Sequence, residues 1–88
     1  MSERSNREEV SKVELDSAFW DLDKRVQHAF KKHGKGKFLN GFEIMGVLQL
    51  ECDEYKAEIQ NRGTSVRQRN ELLDIACVAL IAAASIGR

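Results

Sequence analysis

The 88-residue chain contains no proline, one tryptophan, one tyrosine and two cysteines, and its 14 Lys+Arg balance 14 Asp+Glu, so it has no net charge. Each scarcity excludes something. The composition is neither collagenous nor that of a disordered chain, and the length sets a ceiling of one domain with one modest core. Two thiols, Cys52 and Cys77, make no disulfide framework. They read as reduced cysteines of a cytoplasmic protein and as small apolar core residues. No apolar run reaches the ~18 to 20 residues that span a bilayer, so no membrane partner is expected. The opening MSERSNREEV has no apolar stretch behind it, which argues against a secretory signal. Zero net charge argues against a general nucleic-acid binder, whose domain is usually basic.

The balance of charge conceals an uneven layout. From Lys24 to Lys37 there are six Lys/Arg and no acid, and from Phe38 to Asn61 there are five acids against Lys56 alone. Residues 1 to 10 read as a mobile charged tail, and 11 to 88 as a single all-α domain of three helices. Ser11-Lys12-Val13-Glu14 has the form of a capping box. Behind it Leu15, Phe19, Leu22, Val26 and Phe30 recur at helical spacing, and Lys31, Lys32 and His33 precede the stop at Gly34. Asn40 offers a cap for a second helix that reaches about Arg62 and stops at Gly63. On that helix Ile44, Met45, Leu48, Cys52, Tyr55 and Ile59 share an arc roughly 100° wide. Ser65-Val66-Arg67-Gln68 signals a third start, with Gly87 as its stop.

The third helix is apolar around its whole circumference from Leu72 to Ile86, with Asp74 as its one charge. Such a helix must be covered on every side, and two amphipathic neighbours cannot do it. The expectation is therefore an oligomeric helical bundle, a homodimer or a homotetramer. Ala76, Ala79, Ala82, Ala83 and Ala84 would allow close helix approach.

Two acidic pairs stand out. Glu51 and Glu54 lie three residues apart on the second helix, and Glu71 and Asp74 repeat the device on the third. Residues at i and i+3 share a helix face. The Gly63-Thr64 turn makes the two helices an antiparallel hairpin, and the 16 residues between Glu54 and Glu71 suffice to bring the pairs level. Ionised carboxylates beside an apolar arc need a cation or a hydrogen-bonding partner. Four carboxylates with no His or Cys among them suit a hard ion, Mg²⁺ or Mn²⁺, rather than Zn²⁺. Glu58 lies on the same flank as Glu51 and Glu54 and is a further candidate for substrate contact.

This arrangement resembles the MazG-like all-α nucleoside triphosphate pyrophosphohydrolases, over roughly residues 13 to 86. Their signature is Glu-x-x-Glu on one helix and Glu-x-x-Asp on the next, matched here by Glu51, Glu54, Glu71 and Asp74, with Leu72-Leu73-Asp74-Ile75 around the last. The resemblance implies that these four hold Mg²⁺ against a nucleoside triphosphate. It further implies that pyrophosphate and a nucleoside monophosphate are released, with Glu51 or Glu54 as the alternative catalytic group that orients the attacking water rather than binding metal. Phosphoribosyl-ATP or dUTP are substrates of related enzymes, and a non-catalytic oligomer acting as an interaction or regulatory module is the alternative from another class. The chain departs from the family in having nothing polar between Asp74 and Ser85 and no fourth helix, so a partner subunit or helix one would complete a pocket.

Among the other polar residues, Lys35 and Lys37 are the candidates for phosphate contact, although Gly34-Lys35-Gly36-Lys37 is not a Walker A motif. Trp20 lies off the first helix's apolar stripe and suits either base stacking or, preferably, a subunit contact. His28 and His33 read as surface residues.

Overall fold

The computed structural model describes residues 7 to 87. Three helices follow in order: α1, Lys12–His33; α2, Gly41–Gln60; and α3, Ser65–Ile86. Among the described residues there is no strand. The first six residues of the expected tail lie outside the described ones, as does Arg88, while residues 7 to 10 form no helix.

Local chemistry explains the boundaries. Ser11 Oγ accepts from the Glu14 N–H at 3.0 Å, and Glu14 Oε1 accepts from the Ser11 N–H at 2.9 Å, a complete capping box. These bonds to the ionised form hold the Glu14 carboxyl below its ordinary pKa. Gly34 closes α1 at φ 83°, its N–H donating to the Phe30 carbonyl. Asn40 caps α2 through Oδ1, which accepts from the Glu43 N–H at 3.0 Å.

The turn after α2 corrects two details of the sequence reading. The helix ends at Gln60, two residues before the expected Arg62, and Arg62 itself is left-handed (φ 56°). Gly63 N–H donates to the Glu58 carbonyl and Arg62 N–H to the Ile59 carbonyl, the paired bonds of a Schellman motif. Gly63 leaves room for Glu58: a Cβ there would push aside the end of the Glu58 side chain and lie 3.0 Å from the Glu58 carbonyl. The third cap is Thr64, one residue before the expected one. Its Oγ1 accepts from the Arg67 N–H at 3.2 Å, which places Ser65 inside the helix.

Helix α3 is the axis of the fold. Both α1 and α2 pack on it, while α1 and α2 make no backbone approach to each other. Asp21 meets Arg69, and Arg25 meets Asn70 and Asp74, so α1 runs parallel to α3. Helix α2 returns antiparallel through its short turn. The first turns of α1 overhang α3, leaving Leu15 and Phe19 exposed, whereas Leu22 and Phe30 are half-buried and Val26 is buried.

The core is thin. Val26, Leu73, Cys77 and Ala82 are the buried hydrophobic residues among those described. The Cα radius of gyration is 14.8 Å, against about 12 Å for a compact chain of this length. Leu72 and Leu80 on α3 are 46% and 49% exposed and Ile86 is 75% exposed, so one chain does not cover this helix. The face that α2 turns to α3 also differs from the expected arc. Ile44, Val47, Leu48, Glu51, Tyr55 and Glu58 are half-buried, whereas Met45, Cys52 and Ile59 are exposed. On a helical wheel this is a rotation of about 60°. It brings Glu51 and Glu58 inward and sends Cys52 to the surface, so of the two expected core thiols only Cys77 is buried.

Candidate metal centre

The rotation of α2 determines what faces α3. Glu51 and Glu54 project from one helix and Glu71 and Asp74 from the other, and one carboxylate oxygen of each lies within 4.8 Å of all the others. Glu51, Glu71 and Asp74 are half-buried, and Glu54 is exposed. The antiparallel hairpin sets this register, with the Glu58 carboxylate nearest the turn, where Arg67 Nε lies 3.5 Å from it.

The site is electrostatically crowded. Oε2 of Glu51 and Oε2 of Glu71 are shielded from solvent and have no hydrogen-bond partner. A buried acceptor without a donor costs about 1 to 3 kcal/mol, more when charged. Burial, then the neighbouring charges of Glu54 and Asp74, push the Glu51 carboxyl up to about 7. Glu71 is raised for the same reasons in the same order. Burial, followed by the charge of Asp74, also raises the Cys77 thiol.

Among the described residues, Arg25 is the cation paired with this cluster. Arg25 Nη1 donates to Asp74 Oδ1 and, at 3.1 Å, to the Asn70 carbonyl, while Nη2 reaches Asn70 Oδ1 at 3.4 Å. Arg67, which lies one turn before Glu71, pairs instead with Glu58. The Arg25–Asp74 contact joins residues 49 apart, and the local sequence signals only that Arg25 belongs to the basic segment and borders the buried Val26.

Beside the cluster opens a cavity of about 600 Å³. Its floor is α3 from Asp74 to Ile81, and Val47 and Glu51 of α2 form one wall. The opposite wall is basic: Arg25, His28, Lys32 and His33 of α1, continued by Lys37 of the connecting loop. Of the acidic cluster, Glu51 and Asp74 share this space with the basic residues of α1 and the loop.

The residues singled out from sequence divide accordingly. Glu51, Glu54, Glu71 and Asp74 converge, and Lys37 joins the cavity lining. Lys35 does not line it; its Nζ stands 5.8 Å from the centroid of the Phe30 ring. Trp20 is 64% exposed on the overhanging part of α1, with Lys24 over its ring, away from the carboxylates. Glu58 adds charge near Glu71 but stands outside the cluster. His28 and His33, read as surface residues, remain exposed and line the cavity. Arg25, Lys32 and Asn70 complete the surroundings.

A hard divalent cation fits this donor set. Four carboxylates supply only oxygen, and two of these oxygens are shielded without a hydrogen-bond partner among the described residues. Oxygens around one Mg²⁺ stand at most about 4.2 Å apart, so a small contraction of the cluster would suffice. Compared with protein-family models, with curated proteins and with solved structures, the chain matches none.

Proposed function

We propose that this chain is a Mg²⁺-dependent nucleoside triphosphate pyrophosphohydrolase, with Mn²⁺ able to substitute, that serves cytoplasmic nucleotide-pool cleansing. The observation that carries the reading is the convergence of Glu51, Glu54, Glu71 and Asp74, with two orphaned oxygens, at the edge of a cavity whose far wall is basic. Those four residues would hold the ion. It would neutralise charge on the phosphoryl group and acidify an attacking water. Lys37, with Lys32 and His33 beside it, would bind the remaining phosphates and align the chain of phosphorus atoms along the cavity. Glu51 or Glu54 would orient the water and take its proton as the new P–O bond forms. The old P–O bond breaks, and pyrophosphate and a nucleoside monophosphate leave.

The direct test is pyrophosphate release from a panel of NTPs and dNTPs with Mg²⁺, with phosphoribosyl-ATP and dUTP included. Metal-dependent release from at least one is expected. No release from any substrate overturns the reading.

The catalytic unit in this proposal is a homodimer or homotetramer. Leu72, Leu80 and Ile86 on α3, and Phe42, Met45 and Leu50 on α2, are large apolar side chains left exposed, and a second copy of the chain would cover them. Light scattering at micromolar concentration should give a multiple of the 10.0 kDa chain mass. A monomeric mass would contradict it. The same exposed side chains favour the second reading, a non-catalytic helical assembly module, which predicts oligomers without pyrophosphate release.

A further inference from the structure

Arg25 occupies an unusual place between two environments. Its guanidinium donates to Asp74, a member of the carboxylate cluster, and is held from behind by both the carbonyl and the side-chain oxygen of Asn70. It is only 29% exposed and lines the cavity as well as a smaller recess formed by Asp21, Lys24, His28, Arg69, Asn70 and Leu73. A guanidinium has five N–H donors, and three suffice for the bonds described, so others remain for a ligand. Its attachment to Asn70 does not depend on Asp74, and a guanidinium held there can release the carboxylate without leaving the site.

We infer that Arg25 is the resident counter-cation of the carboxylate cluster, a gating residue that a divalent ion displaces from Asp74 and thereby frees for an anionic group in the cavity. The inference rests on the metal-binding part of the proposed function and concerns its regulation. Two positive charges compete for the same carboxylate, so Arg25 weakens binding of the ion when it enters alone. An anion drawn to the released guanidinium removes that competition. The site therefore favours loading of ion and anionic ligand together over loading of the ion by itself.

The test measures Mn²⁺ binding, without nucleotide, by electron paramagnetic resonance in the wild-type protein and in Arg25→Gln and Arg25→Lys. Arg25→Gln should bind Mn²⁺ roughly tenfold more tightly, since a nearby like charge is gone, and Arg25→Lys should restore the wild-type affinity. A merely structural clamp predicts the opposite, weaker binding in Arg25→Gln because Asp74 loses its orientation, and that result overturns the inference. Equal affinity in all three proteins, or no binding in any, overturns it too. Should Arg25→Gln fail to fold, Mg²⁺ titration of the wild-type protein followed through the Arg25 guanidinium resonance decides the matter. Loss of the restrained signal at saturation supports displacement, and an unchanged signal refutes it. Pyrophosphate release is scored separately. Tighter Mn²⁺ binding by Arg25→Gln in a protein that hydrolyses nothing would sink the enzyme reading and leave this inference standing.

Discussion

The two flanks of α3 handle charge in opposite ways. On the α1 flank, charges meet opposite partners: Arg69 Nη1 lies 2.8 Å from Asp21, and Arg25 bridges Asn70 and Asp74. On the α2 flank, Glu51, Glu54, Glu71 and Asp74 crowd together, with Arg67 engaged by Glu58 at the margin. The first pattern is what helix docking needs, because matched pairs satisfy groups that packing partly desolvates. The second opposes folding, because like charges and unpartnered oxygens are gathered where solvent is reduced. In the proposed function a divalent ion would offset that burden.

That contrast can be tested by substitution. The largest effect is expected on activity: Glu71→Gln and Asp74→Asn should each reduce pyrophosphate release about 100-fold or more. Asp21→Asn on the other flank should leave release unchanged. In the metal-free protein Glu71→Gln should raise the melting temperature, since one crowded charge is removed. A fall would mean that the α2 flank is structural after all.

Next in size is pH. The Glu51 carboxyl titrates near 7 in the folded, metal-free protein against 4.5 ordinarily, so the folded state holds more protons than the unfolded one between those values. Metal-free stability should therefore decline as pH rises from about 4.5 through 7. Divalent-ion affinity should run the other way, rising about tenfold from pH 6 to pH 8, because binding requires release of that proton. Calorimetric titration with Mn²⁺ at both values checks the sign, and a flat profile would remove the electrostatic difference between the flanks.

Smaller still is the turn that sets the carboxylates level. Arg62 holds a left-handed conformation that costs an L-residue roughly 1 to 2 kcal/mol, so Arg62→Gly should stabilise by about 0.5 to 1 kcal/mol in urea unfolding, after the greater freedom of the unfolded chain is counted. The smallest effect belongs to the exposed pair on the α1 flank. Arg69→Gln should cost less than about 1 kcal/mol and leave metal binding untouched.

Much of this organisation was readable from the chain because its signals are local. The cap residues at Ser11 and Asn40, the stop at Gly34 and the apolar stripe through Val26 act over a few residues, and the hairpin follows from the short connection at Gly63 and Thr64. The convergence of the four carboxylates followed from two spacings and one turn. The inner face of α2 was less legible. Periodicity counts Met45 and Cys52 as core and Glu51 as border, whereas packing against α3 turns Glu51 inward. Arg25 could not be matched to Asp74 by any local rule, because parallel packing of α1 on α3 is a long-range choice. The left-handed Arg62 escaped notice because Gly63, the obvious candidate, serves clearance rather than torsion.

The separation of α1 from α2 has a mechanical consequence. Each packs on α3 rather than on the other, and among the described residues they are joined by the connecting loop, which the Phe38 N–H ties to Ser85 Oγ of α3. A molecule held by Glu51 of α2 at one end and by the basic residues of α1 at the other would become a cross-brace between two helices that do not pack on each other. Amide exchange along α1 would then slow on ligand binding even at residues that never touch the ligand.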